Sequence, residues 1–466
     1  MLFLGQTRQR TCQGVSRREF MQIGGSTVLG LTLADLLKLK ANTLTPDPSP
    51  KRRGETGAGT ARAVIFLWLW GGPSQLDTWD PKPNAPMEFR GPFSSMPSRV
   101  PGTRIGELFP QIGDWTDRIA IIRSLHTTSN DHGVAGTVGL TGSGVGSVNL
   151  GGGTAAGNVR PCIGSIVARA KGFRSEMPPF MVVGGRLHQG KRAIAGEGGG
   201  TLGALYDPFR LLFDPERGTQ IPALELPANL SPERLRNRHQ LLQSLDQVRR
   251  SLDTGNQRTI DDYRAQALAL LTSPDATRMF DVSRERPEVA DRYGRTRFGQ
   301  SCLLARRLVE HGVPFVQVNW SDHVEAEEDA GDGGWDNHYR HFQIMQDRQA
   351  PWLDQTLPAL LSDLHERRLL ASTLVVAIGE FGRTPRINDK AGRDHWEHCY
   401  SAILAGGGVR GGQVIGESDA RAERPRLRPV TPADLAASIM HAVGITSEQV
   451  ATLGINSGGQ VIGELF

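Results

Sequence analysis

Apolar residues in this chain come in short unbroken runs rather than in alternation with polar ones. Residues 63–70 read AVIFLWLW and stop at Gly71, Gly72 and Pro73. Similar runs occupy 118–122, 180–183, 313–319, 373–378 and 401–404. A run that does not alternate fits a strand covered on both faces, as in a parallel sheet between helices. Helical stretches precede two of the runs, at 298–311 and 351–370, and Thr431 followed by Pro432 sets up a last helix by N-cap chemistry. Strands alternating with helices predict an α/β protein, a three-layer α/β/α sandwich around a mostly parallel sheet. The polar stretch 231–271 predicts a helical insertion.

Ligands of open α/β sheets sit outside the carboxyl ends of the strands, so the residues after each run are informative. The first run leads to Asp77 and Asp80, and the second to His126, Asp131 and His132. The run at 313–319 leads to Asp336, His338 and His341, and that at 373–378 to Glu380 and Arg383, with Asp394, His395 and His398 soon after. Seven of the twelve histidines fall in these loops or in the adjoining acidic excursion 322–332. Mixed carboxylates and imidazoles at strand ends are the donor set of a divalent metal, typically Zn²⁺ or Mn²⁺, with Ca²⁺ and Mg²⁺ as alternatives. Asp336 and His338 are two residues apart and face the same way in an extended segment. Taken singly, each histidine is equally a hydrogen-bonded core residue. The Gly-rich stretch 139–157 lacks the Lys-Ser/Thr ending of a phosphate loop and reads as a loop or rim. The heptapeptide GGQVIGE at 411–417 recurs at 458–464, which reads as two similar turn-and-strand pieces.

Charge and composition change the picture mainly at the amino terminus. The net charge is +4, and residues 1–41 alone carry six basic and two acidic groups. Within them Arg17 and Arg18, then Phe20 and a moderately apolar segment 23–34, have the order of a twin-arginine export signal. That apolar segment is too short and too rich in Gly and Thr to span a bilayer comfortably. Residues 42–62, with Pro, Gly and charge but no apolar period, read as a linker to a domain at 63–466. The remaining body is near neutral, which argues against nucleic-acid binding. Expected partners are the export machinery and an extracytoplasmic or periplasmic substrate, with no transmembrane span beyond the signal. Cys12, Cys162, Cys302 and Cys399 match no zinc or redox spacing and read as small hydrophobes.

The segments WGGPSQLDTWDPKP (70–83), RSLHTTSNDHG (123–133), GGWDNH (333–338), GEFGRTP (379–385) and GRDHW (392–396) resemble an exported bacterial family called domain of unknown function 1501. The resemblance covers the chain from about residue 63. It implies an alkaline phosphatase-like fold, whose best-known members hydrolyse phosphate or sulfate esters with two metals and a Ser, Thr or formylglycine nucleophile. It further implies that Asp77, Asp336, His338, Glu380 and His395 hold one or two metals. Phe381 stands where many relatives have a ligating histidine. His132 falls at the nucleophile's place, as a metal ligand or a base. Arg383 either binds an oxyanion or pairs with a carboxylate. Ser95, in Ser-Met-Pro-Ser-Arg, and Thr128 and Ser129 are further hydroxyl candidates. The expectation is therefore an exported, sulfatase-like metallo-hydrolase acting on a small anionic ester or a sulfated or phosphorylated glycan. The alternative is a non-catalytic binding protein on the same fold with a structural metal site.

Overall fold

A computed structural model describes residues 59–172, 177–221, 278–321, 334–455 and 458–466. The expected signal, the insertion at 231–271 and the acidic excursion at 322–332 lie outside the described residues.

Nine strands form one sheet: β1 (Ala63–Trp68), β2 (Ile119–Leu125), β3 (Phe180–Val183), β4 (Phe209–Asp214), β5 (Gly218–Gln220), β6 (Phe315–Asn319), β7 (Thr373–Ile378), β8 (Tyr400–Ala405) and β9 (Gln413–Ile415). Their order is β9-β2-β8-β7-β1-β6-β3-β4-β5. The central block β7-β1-β6-β3-β4 is parallel throughout, and β9 is parallel to β2. Only β8 and β5 run antiparallel to their neighbours. The expected mostly parallel sandwich is therefore the fold.

Side chains of β1 alternate between two separate cores, as the period of a strand demands. Ala63, Ile65 and Leu67 pack with Cys302 and Leu308 of α3 (Arg297–Glu310) and with Leu357 and Leu361 of α4 (Ala350–Glu366). Val64, Phe66 and Trp68 pack instead with Leu140 of α1 (His132–Thr141), Ile166 of α2 (Ile163–Lys171) and Ile439 of α5 (Pro432–Ala442). Thr431 and Asp434 close a capping box at the start of α5, as Thr431 predicted.

In-register pairing brings Trp68, Asn319 and Ile378 to one level, so the loops after β1, β6 and β7 leave the sheet together. β8 is antiparallel to β7, which needs no crossover helix. The whole connection 379–399 therefore stays at the carboxyl edge, pinned by pairing of Gly382–Arg383 with His395–Trp396. This single loop supplies several of the residues described below.

Some boundaries differ from the sequence reading. Residues 59–62, assigned to the linker, are tied to the body: Gly59 and Ala61 donate to the carbonyls of His441 and Ala442 at 3.1 and 3.0 Å. Gly139, assigned to a loop, lies inside α1, where a Cβ would stand 2.4 Å from the Trp68 ring. The two GGQVIGE copies differ: 413–415 is an edge strand, whereas Gly463–Leu465 is a single 3₁₀ turn. They are neighbours nonetheless, since Gln413 Nε2 donates to the Glu464 carbonyl at 2.8 Å. No helix among the described residues is long and apolar enough to cross a membrane.

Candidate metal centre

Gly71, just past β1, is the hinge of the site. Its φ is +105°, and a Cβ there would lie 2.4 Å from the Asp336 nitrogen. Only glycine lets the β1 loop meet the Asp336 segment this closely. The Gly71 N–H donates to Glu380 Oε1 at 2.9 Å, and its carbonyl accepts from Arg383. Three loops thus join at one residue.

Asp336 is the focus. Its Oδ1 lies 3.0 Å from His395 Nε2, 3.1 Å from His338 Nε2 and 2.5 Å from a terminal nitrogen of Arg383. Its Oδ2 lies 3.3 Å from His132 Nε2. The ligating atoms of His132, Asp336 and His395 all fall within 4.8 Å of one another. His338 joins from the side, its Nε2 2.8 Å from His395 Nε2. The cluster is graded in exposure: the side chains of His132 and Asp336 are 2% and 7% exposed, those of His395 and His338 20% and 38%.

Each imidazole is held by its other nitrogen. His132 Nδ1 faces Glu380 Oε1 at 2.6 Å, His338 Nδ1 faces Asp394 Oδ1 at 2.8 Å, and His395 Nδ1 faces the Asn130 carbonyl at 2.7 Å. All three partners are acceptors, so all three Nδ1 atoms carry hydrogen. In the neutral rings the Nε2 lone pairs then point at one carboxylate. His132 Nε2 is buried without a hydrogen-bond partner. This is the arrangement of metal-binding histidines, whose second nitrogen donates to a carboxylate or carbonyl. Charge agrees. The centre buries two carboxylates, Asp336 and Glu380, against one guanidinium, Arg383, which pairs with Asp336; in the ion-free protein the remaining negative charge is answered by a proton on His132, the place a cation would take. The residues fit a divalent cation.

The protonation equilibria follow from the same geometry. Burial alone would lower the His132 pKa, but Asp336 and Glu380 raise it to about 9. Burial lowers His395 to about 4, against its hydrogen bond to Asp336. Asp336 holds His338 above its ordinary value despite burial. Asp336 itself stays well below the usual carboxylate range: burial opposes this, and Arg383 and His132 outweigh it.

Two expected ligands stand apart from the ion-facing atoms, and Arg383 takes up one of its two expected arrangements. Asp77 is not in this cluster: its Oδ2 accepts from Arg393 Nε at 2.7 Å and Ser74 Oγ at 2.5 Å, and lies 2.9 Å from His341 Nε2. Glu380 is present but turned away from Asp336, holding His132 and Gly71 instead. Arg383 is fully buried and donates to Asp336 and to the carbonyls of Gly71, Gly72 and Arg393, the carboxylate pairing that was one of its two expected arrangements. Among the hydroxyl candidates, Ser95 accepts from Arg104 in a separate hairpin, and Ser129 accepts from the Asp131 N–H. Sequence reasoning assigned no role to Asp394, the Asn130 carbonyl or Arg393. Asp394 alone was signalled, by standing beside His395.

Phe381 packs on His132 and His395, with ring centroids 4.8 and 4.6 Å away, and forms the apolar wall of the centre. α1 delivers His132 at its first turn. Asp131 caps it by accepting from the Val134 N–H at 3.1 Å, and Gly136 and Gly139 let the helix lie against Trp70 and Trp68.

The chain belongs to the family described as Protein of unknown function (DUF1501), which matches residues 61–459. No curated protein matches it. Similar solved structures include the lipoteichoic acid synthase LtaP from Listeria monocytogenes, at 9% identity over 92% of this chain and 81% of that one, TM-score 0.37. The PsFucS1 sulfatase from Pseudoalteromonas sp. is 12% identical over 96% of this chain and 74% of that one, TM-score 0.36. A protein in the alkaline phosphatase superfamily from Vibrio parahaemolyticus is 9% identical over 88% and 74%, TM-score 0.34.

Proposed function

We propose that this chain is an exported metal-dependent hydrolase of phosphate or sulfate esters, with His132, His395 and Asp336 holding a divalent ion. One observation carries the reading: three imidazoles tied back at Nδ1 turn their Nε2 atoms on one buried carboxylate. Two nitrogens and an oxygen suit Zn²⁺ or Mn²⁺ better than the all-oxygen preference of Ca²⁺ or Mg²⁺. The half-exposed His338 edge leaves the centre open to a ligand, as catalytic sites are and structural zinc sites are not.

A bound ion of this kind supplies Lewis acidity toward an ester oxygen and lowers the pKa of water. The protein's own residues do the rest. Glu380 fixes the His132 tautomer, and the Asn130 carbonyl fixes that of His395. Arg383 keeps Asp336 ionised. His338, backed by Asp394 and raised in pKa by Asp336, holds a proton at Nε2 beside Asp336 Oδ1, at the half-exposed edge of the centre, from which it would protonate the departing oxygen. Phe381 excludes water from the other side. Substrate would be a small anionic ester or a sulfated or phosphorylated glycan, met after twin-arginine export.

The test is ion content by elemental analysis together with turnover of aryl and sugar phosphate and sulfate esters. Stoichiometric Zn or Mn and turnover abolished by His395→Ala are expected; a folded preparation that takes up no divalent ion removes the reading. The second reading, a binding protein with a structural ion, draws on one observation: Arg383 is fully engaged and unavailable to an anion. Glycan binding without turnover of any ester would favour it.

A further inference from the structure

Resting on the metal reading above, we infer that Asp77 is a positioning residue: with Arg393 and His341 it clamps together the two segments that carry the ion-binding side chains. The first segment is 334–341, with Asp336 and His338; the second is 388–395, with Asp394 and His395. They are laced by backbone bonds. The N–H groups of Arg393, Arg340 and His341 donate to the carbonyls of Asn337, Lys390 and Ala391 at 3.1, 3.1 and 3.0 Å. Asn388 Nδ2 adds a bond to the His338 carbonyl at 2.9 Å.

Asp77 lies under this lacing and grips both sides of it. On the second segment it holds the Arg393 guanidinium with both oxygens, at 2.7 and 3.2 Å. Arg393 also donates to the Thr384 and Phe89 carbonyls, and its own carbonyl accepts from Arg383, the partner of Asp336. On the first segment Asp77 faces His341 Nε2, so that atom carries hydrogen. His341 Nδ1 then accepts from Asn337 Nδ2 at 3.3 Å. Asn337, between Asp336 and His338, exchanges bonds with Gln349 of the following helical segment. No lone pair of His341 is left for an ion, which separates this cluster from its neighbour in kind. The side chains of Asp77, Arg393 and His341 are each 1% exposed or less. A carboxylate so engaged sets the spacing of Asp336 and His395 rather than touching what they bind.

The test uses the folded chain and zinc alone, in competition with a chromophoric chelator well below the melting temperature. Asp77→Asn should lower zinc affinity about 10- to 100-fold, the usual effect of losing a group that orients a ligand. His341→Gln, milder and available should Asp77→Asn fail to fold, should lower it by the smaller part of that range. Asp363→Asn is the matched control. It breaks a buried ion pair with Arg306 at the far end of α4. It should cost melting temperature while holding zinc affinity within about threefold. The visible spectrum of the Co²⁺-loaded Asp77→Asn protein should keep the wild-type coordination number. Unchanged zinc affinity in Asp77→Asn and His341→Gln, or an equal loss in Asp363→Asn, overturns the inference and leaves the metal reading standing. A lost ligand in the cobalt spectrum overturns it as well, making Asp77 a ligand. Wild-type protein that binds no ion removes both.

Discussion

Two buried histidine–carboxylate clusters lie side by side at the carboxyl edge of the sheet, and they have opposite polarity. Around Asp77 every polar atom is answered: Arg393 and Ser74 donate to the carboxylate, and His341 donates from Nε2 and accepts at Nδ1. Around Asp336 the histidines are reversed, with Nδ1 donating outward and Nε2 turned inward. Each carboxylate is paired with one buried arginine, Arg393 or Arg383. Residue types are therefore nearly the same, and the tautomer imposed by the surroundings separates a structural clamp from a site that can take a cation.

The largest effect expected from breaking this contrast is that of Asp336→Ala. It removes the carboxylate on which the rings converge and leaves Arg383 buried without a countercharge. An orphaned buried charge costs about 3–5 kcal/mol. Zinc uptake should fall below detection by elemental analysis, and the denaturation midpoint should drop accordingly. Retained stoichiometric zinc in this variant would mean that Asp336 is not the centre of the site.

Next comes His338→Gln, which separates ion holding from proton transfer. Zinc content should stay near the wild-type value while ester turnover falls about 10²- to 10⁴-fold, the usual worth of a general acid. If zinc is lost together with turnover, His338 is a ligand, as the Asp336–His338 spacing suggested.

How much of this was legible beforehand follows from how local each signal is. The strands buried on both faces were visible as unbroken apolar runs, and β1, β2, β3, β6, β7 and β8 fall where the runs lie. β4 was missed, because Arg210 and Asp214 interrupt its pattern near the edge of the sheet. The second GGQVIGE copy was misread because a heptapeptide does not fix its own partner; only the first finds a free edge, beside β2. In the site, Asp336 with His338 and Asp394 with His395 were visible from short spacing. The Asp77–Arg393 pair spans 316 positions, and no spacing rule reaches that far. The tautomers are set by partners such as the Asn130 carbonyl, 265 positions from His395, and a backbone carbonyl leaves no mark in a sequence.

One buried histidine from each cluster, His132 and His341, should also answer pH in opposite directions, a smaller effect that needs no ligand, with the lowered His395 adding to the acid-side loss. His132 in the ion-free protein titrates near 9, above its unfolded value of 6.5. Its contribution to stability is full below about 6.5 and is lost as pH rises through about 9. His341 is lowered by burial, with Arg393 and Arg383 adding to this against Asp77. Its contribution is present above 6.5 and lost as pH falls, because the unfolded chain then binds the proton more readily. Melting temperature of chelator-treated protein should therefore decline on both sides of neutrality. His132→Gln should remove the alkaline decline and His341→Gln should weaken the acid one. Saturating zinc should displace the His132 proton and reverse the alkaline decline, since metal binding competes with protonation. An alkaline decline that persists in His132→Gln would assign it to another group.

The smallest effect, and the sharpest on the difference between holding an ion and holding a ligand, belongs to Glu380→Gln. Glu380 is fully buried and accepts from the Gly71 N–H and from His132 Nδ1, so its carboxylate both fixes the ring and raises its basicity. The amide keeps the shape and one acceptor oxygen but loses the charge. His132 should become a weaker donor, and zinc affinity should fall about tenfold, the lower end for an outer partner of a ligating histidine. Ion stoichiometry should be unchanged, and the denaturation midpoint should move by about 1–2 kcal/mol, the range for one imperfectly satisfied buried group. If Glu380→Gln instead empties the site as completely as Asp336→Ala, then Glu380 itself binds the ion, and the boundary drawn between ligand and support at His132 is in the wrong place.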